Sequence, residues 1–268
     1  MTPMQDKTES RIVRVLFLCA LTFIVFSFAC FAGTGCKGDA GYQSDPLSES
    51  AGFEASGSME EPSDRSVPEN RDADHSIWTV SPLALERFME PMEQNSWERP
   101  ADCPVSFVML HFSSDVVRHP EHPFDLDEMV RVFADSGASV HYVIDREGTV
   151  WCFVPEDRVA WHAGKGTWKD DPSYTDRMSF YSIGIELLAI GSERDMEKYL
   201  SKEQYAEIAR EHIGFTDKQY ESLRELLTDL CGRYGLPMDR EHVIGHEEYA
   251  AGRKRDPGEL FDWELVLN

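Results

Sequence analysis

The sequence predicts one domain of the α/β or α+β class over residues 77–268, with a central mixed β-sheet flanked by helices. Two observations predict this class. Short apolar or alternating runs, which are typical of β-strands, recur along this part of the chain and are separated by segments with helical spacing and helix caps. Two of the runs flank a turn that contains glycine. This order of elements indicates a mixed sheet covered by helices.

The first strand is predicted over residues 105–112, because the run VSFVMLHF is apolar on both alternating faces, as expected of a strand in the middle of a sheet. A helix follows over 125–135, with its apolar side chains on one side. Residues 139–144 and 149–154 are two β-rich runs around the turn at 145–148, which predicts a hairpin.

A second apolar strand is predicted over residues 181–190. Since side chains alternate along a strand, Ile183 and Ile185 point to one face of the sheet, and Gly184 and Glu186 point to the other. A carboxylate is therefore directed into an otherwise apolar sheet.

Two helices are predicted from capping boxes, in which a serine or threonine is followed three residues later by glutamine. These are Ser201 with Gln204 and Thr216 with Gln219, and the second helix continues with apolar side chains at helical spacing until Gly235. Three short elements complete the domain: a strand over 242–245, a loop over 246–258 and a helical turn over 261–266.

The chain begins with a basic segment that contains Lys7, Arg11 and Arg14, followed by an uncharged apolar run over 15–35. This pattern predicts a signal peptide. The alternative is an uncleaved membrane anchor, because residues 15–32 approach the roughly 20 residues that a spanning helix needs. Either interpretation places the rest of the chain across a membrane.

Small residues at 32–35 precede Cys36 and resemble a bacterial lipobox, whose cysteine would be acylated. Gly33 departs from that pattern, because an aliphatic residue usually stands three positions before the cysteine. Cleavage after Ala32 and lipidation at Cys30 are the alternatives. We expect residues 1–36 to be a signal peptide of the lipoprotein type, with Cys36 lipidated and the protein in the cell envelope, facing the wall.

Residues 37–76 are rich in serine, glycine, proline, aspartate and glutamate and have almost no apolar residues, which predicts a disordered tether. A flexible chain of this length spans on the order of 35 Å root-mean-square. Such a tether would hold the domain away from a membrane while keeping it attached.

The chain has a formal net charge of −23, of which residues 1–76 contribute −6 and residues 77–268 the remaining −17. Nucleic-acid phosphates and an anionic membrane surface would be repelled by this domain, so neither is an expected partner of it. Contact with the membrane is expected only through the N-terminal anchor. The charge says little about a mostly neutral partner.

Three of the six cysteines, Cys103, Cys152 and Cys231, lie outside the export segment. They include no CxxC pair, which argues against a disulfide framework and against a cysteine zinc site. One disulfide and three buried thiols both stay possible.

Three residues have the chemistry of a catalytic zinc site, which uses three nitrogen or oxygen ligands and keeps one position open. They are His111 at a strand end, and His246 and Asp256 around one loop. From the residues alone this trio is one choice among several, because a histidine after a strand is often a hydrogen-bonded core residue, as we expect for His141. The segment HEEYA at 246–250 lacks the second histidine of HExxH, which excludes a thermolysin-type site.

Six segments resemble, in order, the signature blocks of the type 2 N-acetylmuramoyl-L-alanine amidases, which are relatives of phage amidases and animal peptidoglycan-recognition proteins. They are VMLHFSS (108–114), HYVIDREGTV (141–150), AWHAG (160–164), SIGIELL (182–188), FTDKQYESL (215–223) and VIGHEEYAAGRKRDPGELFDW (243–263). The WHAG segment and the block H-x9-D that ends in RKxDPG are the specific ones. The resemblance implies an amidase fold and a zinc hydrolase that cuts the bond between N-acetylmuramic acid and L-alanine in peptidoglycan.

Carried over residue by residue, the resemblance implies that His111, His246 and Asp256 are the ligands of Zn2+. It implies catalytic roles for Glu186, as acid and base, and for Lys254, as a stabiliser of negative charge. An aspartate as third ligand is typical of the bacterial branch, whereas other branches have cysteine there.

The resemblance also suggests Trp161 and His162 as substrate-binding residues, with His162 a further candidate for stabilising the oxyanion. Ala251 departs from the pattern, in which proline is common before GRK. We expect peptidoglycan as the partner and a monomer as the working form. Two other functions stay open: a catalytically silent peptidoglycan-binding module, and a zinc amidohydrolase that acts on a soluble peptide.

Overall fold

The structure, a computed structural model, describes residues 78–267. The predicted signal peptide at 1–36 with Cys36 and the predicted tether at 37–76 lie outside the described residues. None of the helices within 78–267 combines the length and the apolar character needed to cross a membrane.

The strands that the structure describes over 78–267 are β1 (Leu85–Glu86), β2 (Ser96–Glu98), β3 (Phe107–Ser113), β4 (Tyr142–Ile144), β5 (Val150–Cys152), β6 (Arg158–Ala160), β7 (Ser182–Leu188) and β8 (Val243–Gly245). The α-helices of the same range are α1 (Met92–Asn95), α2 (Leu126–Ser136), α3 (Met178–Tyr181), α4 (Glu193–Met196), α5 (Lys202–Ala206), α6 (Asp217–Tyr234), α7 (His246–Tyr249) and α8 (Glu264–Leu267).

Six of these strands form one sheet in the order β1-β5-β4-β7-β3-β8. The hairpin pair β4 and β5 is antiparallel, and β7, β3 and β8 are parallel neighbours. The predicted mixed sheet flanked by helices is therefore confirmed, and the predicted element bounds differ from the observed ones by a few residues.

Strands β3 and β7 are neighbouring interior strands of the sheet, and every residue of β7 is buried. Their register places His111 directly opposite Glu186. Because paired residues on neighbouring strands project to the same face, the imidazole and the carboxylate share one side of the sheet.

The other side of the sheet is covered by α6. Its capping box is formed by Thr216 and Gln219, and the helix ends at Gly235, whose φ of 66° is left-handed, as is usual after a helix. Leu223 and Leu227 of this helix are fully buried in the same cluster as the apolar side chains of β7. Burial of each such leucine contributes roughly 1.5–3 kcal/mol to stability.

The sequence did not predict the small antiparallel sheet that β2 forms with β6. Arg99, just after β2, fixes this segment by donating hydrogen bonds to the backbone carbonyls of Glu156 at 3.0 Å, Arg158 at 2.8 Å and Phe180 at 2.6 Å. The segment that β6 begins continues into the WHAG residues, so β2 and Arg99 support a loop that reaches the candidate site.

Candidate active site

The structure brings together the three residues that the sequence suggested as metal ligands. Nδ1 of His111 lies 2.7 Å from Oδ2 of Asp256, and Nδ1 of His246 lies 2.9 Å from the same oxygen. The three ligand atoms lie within 4.8 Å of one another, and both imidazoles are only 2% exposed. Two neutral imidazole nitrogens and a carboxylate that converge in this way can hold a metal ion.

The parallel pairing of β3 with β8 explains why the two histidines meet. Leu110 pairs with Gly245, and the two histidines directly follow this pair, His111 within β3 and His246 at the start of α7. The loop after α7 then returns to the sheet, and the backbone carbonyl of Asp256 accepts a hydrogen bond of 2.9 Å from the amide of Glu247. This backbone hydrogen bond holds the loop so that the carboxylate of Asp256 lies between the two imidazoles.

Glu186 lies beside this trio on β7 and is 9% exposed. Its Oε2 atom has no hydrogen-bond partner among the residues that the structure describes. Burial, together with the negative charge of Asp256, raises the pKa of Glu186 to about 8. A buried carboxyl group with a free oxygen and a raised pKa is suited to accept and return a proton near neutral pH.

Lys254 is half-buried in the loop that carries Asp256. Burial lowers the pKa of His111 to about 4, and the electrostatic influence of the neighbouring His246 and of Lys254 acts in the same direction. Lys254 also opposes the rise in the pKa of Glu186. Its charge therefore acts on both the ligand set and the carboxylate, as expected of a cation beside the reacting groups.

The WHAG loop carries Trp161 and His162, and it brings His162 to the ligand group. His162 is 9% exposed, and its Nδ1 lies 3.0 Å from Nε2 of His111. Trp161 is half-buried, and its ring centroid lies 5.3 Å from that of Trp97 on β2. Trp161 thus has a partly exposed ring, whereas His162 is enclosed beside His111.

His141 is confirmed as a core histidine. It is fully buried, and its Nδ1 accepts a hydrogen bond of 2.9 Å from the backbone amide of Gly184. This histidine holds neighbouring strands together and is not one of the ligand group.

Two contributors to the site were not predicted from the sequence. Ser182 has its hydroxyl 3.2 Å from Nε2 of His162, and it donates a hydrogen bond of 2.7 Å to the carbonyl of Met178. Arg253, in the basic triplet before Asp256, donates a hydrogen bond of 2.8 Å to the carbonyl of Ala163. A serine inside an apolar strand and an arginine in a basic triplet carry no sequence signal that would separate them from ordinary surface or core residues.

The family model described as N-acetylmuramoyl-L-alanine amidase (Amidase_2) matches residues 101–259, which is more than half of the chain and includes every site residue described above. The chain belongs to this family. The resemblance drawn from the signature segments is therefore confirmed at the level of the family.

Two curated relatives agree with this assignment. N-acetylmuramoyl-L-alanine amidase AmiD of Escherichia coli (strain K12) is 28% identical over 169 residues, which cover 60% of this chain and 52% of that protein. The 1,6-anhydro-N-acetylmuramyl-L-alanine amidase AmpD of Enterobacter cloacae is 34% identical over 142 residues, which cover 53% and 59%. This chain thus spans somewhat more than half the length of these curated relatives.

A solved structure supports the fold of this Amidase_2 member. The crystal structure of a Se-Met AmpD derivative matches with a TM-score of 0.52 and 26% identity, over 70% of this chain and 94% of that chain. The central mixed sheet with flanking helices is accordingly the arrangement of an amidase fold.

Proposed function

We propose that this protein is a zinc hydrolase that cuts the amide bond between N-acetylmuramic acid and L-alanine in peptidoglycan. One observation carries the proposal: His111, His246 and Asp256 converge beside the free carboxylate oxygen of Glu186, in a chain that belongs to the amidase family. The names of the relatives AmiD and AmpD describe this class of bond.

The donor set fits zinc. Catalytic zinc sites commonly use three protein ligands of the imidazole and carboxylate type and leave a further position for water or substrate. His111, His246 and Asp256 would hold the ion, and the carboxylate of Asp256 already faces both Nδ1 atoms. When bound, zinc supplies a Lewis acid and lowers the pKa of a water molecule to about 7.

Glu186 moves the proton. It takes one proton from the attacking water as the new carbon–oxygen bond forms, and it returns that proton to the alanine nitrogen as the carbon–nitrogen bond breaks. The products are a muramic acid carboxylate and a peptide with a free amino group. The raised pKa of Glu186 supports this role, because a carboxyl group of ordinary acidity would hold the proton poorly at neutral pH.

Lys254 stabilises the negative charge that develops on the carbonyl oxygen of the scissile amide. Its position in the loop of Asp256 and its electrostatic effect on His111 and Glu186 support this role. Trp161, which is half-buried and precedes His162 in the WHAG segment, is proposed to contact the sugar or the stem peptide.

We further propose that the protein is exported and acts in the cell envelope, where Cys36 carries a lipid and residues 37–76 act as a tether. The uncharged run at 15–35 and the small residues before Cys36 support this proposal. Cys36→Ala should move the protein into the soluble envelope fraction while its purified activity stays unchanged. Membrane retention of that variant would point to an uncleaved anchor or to Cys30, which the intact mass of the mature protein distinguishes.

Mass spectrometry of products tests the proposed reaction. Purified protein is incubated with peptidoglycan, with and without a chelator. We expect stem peptides that begin with a free L-alanine amine, together with uncut glycan strands, and no release in the presence of the chelator. Binding to peptidoglycan without any release would instead support the catalytically silent module. Cleavage of soluble peptides but not of peptidoglycan would support an amidohydrolase of another substrate class.

A further inference from the structure

His162 lies between the metal-ligand group and the start of strand β7. Its Nδ1 faces Nε2 of His111 at 3.0 Å, and its Nε2 faces the hydroxyl of Ser182 at 3.2 Å. Both ring nitrogens are therefore engaged by side chains of the protein itself. With 9% of the residue exposed, little of the ring is left for a substrate.

We propose that His162 is a positioning residue that fixes the tautomer and orientation of His111, and that it does not contact substrate. This inference rests on the proposed function, because it assumes that Nδ1 of His111 binds the metal. It differs from the substrate-binding role that the resemblance suggests for this residue.

The direction of each hydrogen bond supports the assignment. A histidine that binds a metal through Nδ1 carries its proton on Nε2, so His111 is a donor toward Nδ1 of His162. His162 then carries its own proton on Nε2 and donates it to the hydroxyl of Ser182. That hydroxyl donates in turn to the carbonyl of Met178 at 2.7 Å. Each link thus has one donor and one acceptor, and the chain ends on a fixed backbone atom.

The ring of His162 is held in place by packing as well. A Cβ atom added to Gly184 would lie 2.6 Å from Cγ of His162, a distance that side chains do not tolerate. The glycine in the SIGIELL strand thus leaves the space that the ring occupies. The rings of His111 and His141 meet it edge-on, at centroid distances of 5.1 and 5.7 Å.

Ala163, the next residue of the loop, provides an outer hydrogen-bond partner for the other ligand imidazole, that of His246. The carbonyl of Ala163 lies 2.8 Å from Nε2 of His246, and it also accepts a hydrogen bond from Arg253. His162 and Ala163 therefore provide the outer partners of both histidine ligands. This is a physical reason for the WHAG sequence at this place in the fold.

Zinc affinity tests the inference without relying on catalysis. In His162→Phe the ring shape is largely kept but the acceptor is lost, so the zinc dissociation constant measured by chelator competition should rise by roughly 10–100-fold. His162→Asn is the matched control, because the amide oxygen of asparagine can replace Nδ1 as acceptor. It should keep affinity closer to that of the wild type.

The Michaelis constant at saturating zinc tests the alternative, in which His162 contacts substrate. Unchanged zinc affinity in folded His162→Phe, combined with a raised KM, would overturn the positioning role and favour substrate contact. If His162→Phe does not fold, Gly184→Ala serves instead, because it displaces the ring without removing it and should also weaken zinc binding. Unchanged zinc affinity in folded Gly184→Ala would then overturn the inference.

Wild-type measurements separate this inference from the proposed function. If the wild type binds zinc but releases nothing from peptidoglycan, the proposed reaction fails while the zinc comparison still decides the role of His162. If the wild type binds no zinc, both fail, because the inference assumes a metal on His111.

Discussion

The two faces of the central sheet are built in different ways. On one face, Ile183, Ile185 and Leu187 of β7 pack against α6 in a predominantly apolar layer. On the other face, Glu186 of the same strand lies with His111 among polar groups drawn from separate parts of the chain. The first face is made by local periodicity, whereas the second depends on long-range closure of the fold. Stability and chemistry are thus assigned to opposite sides of one strand.

This division predicts that changes on the two faces affect different measurements. Substitutions on the polar face should alter metal binding or turnover with modest effects on folding. Substitutions on the helical face should alter the free energy of unfolding with little effect on the site.

The largest effect is expected from removing a ligand. His246→Ala should abolish hydrolysis and sharply reduce the bound zinc, because two remaining ligands do not make a catalytic zinc site. Metal analysis and product release measure both effects, and circular dichroism checks the fold. Full zinc content in this variant would remove His246 from the ligand set.

Glu186→Gln should lower turnover by roughly two to four orders of magnitude, which is the usual contribution of a positioned acid and base. Zinc content should stay at the wild-type level, because Glu186 is not proposed as a ligand and the substitution is nearly isosteric. Steady-state kinetics on purified peptidoglycan measures the change. Turnover like that of the wild type would mean that another group moves the proton.

Glu186→Gln should also change how the stability of the metal-free protein depends on pH. Because the folded-state pKa of Glu186, about 8, lies above its usual value, the folded state retains a proton that the unfolded state loses. The carboxyl group therefore makes the wild type lose stability relative to Glu186→Gln as pH rises from about 4.5 to about 8. The full difference is on the order of 5 kcal/mol.

Denaturant unfolding of both metal-free proteins at several pH values gives that difference. The titration of His111 acts with the opposite sign, but both proteins contain it, so it largely cancels. If the unfolding free energies of the two proteins change with pH in the same way, the pKa of Glu186 is not raised in the folded state.

Leu227→Ala tests the helical face. The side chain is fully buried under the sheet, so its removal should cost about 3 kcal/mol of unfolding free energy, within the usual range for such a cavity. The folded fraction should bind zinc and turn over substrate as the wild type does. A weaker zinc site at temperatures where the variant is fully folded would contradict the independence of the faces.

The sequence alone predicts the helical face well and the polar face poorly. Alternation in β7 and the spacing of α6 identify the apolar layer, because each pattern lies within one element. The trio of His111, His246 and Asp256 is only one choice among several until the family resemblance is used. Ser182 cannot be found from the sequence at all, because its role depends on a loop that packs against it from about 20 residues earlier in the chain.

The small sheet of β2 and β6 was missed for a related reason. Its strands are only three residues long, too short to show a period, and their pairing is fixed by Arg99 through backbone carbonyls rather than by an apolar pattern. Hydrogen bonds from one side chain to distant backbone atoms leave no trace in local sequence.

The smallest effect is expected at the start of α6, where Thr216 closes the capping box. Its hydroxyl oxygen accepts a hydrogen bond of 3.2 Å from the amide of Gln219 and donates one of 3.0 Å to the carbonyl of Arg146. Thr216→Ala removes both and should lower the unfolding free energy by about 1 kcal/mol. Thr216→Ser keeps the hydroxyl and is the matched control, with a change of a few tenths of a kcal/mol expected.

Zinc affinity should be the same in both variants, because the cap lies on the helical face. A parallel loss of zinc affinity in Thr216→Ala alone would show that the cap, through Arg146, transmits strain across the sheet to the ligands.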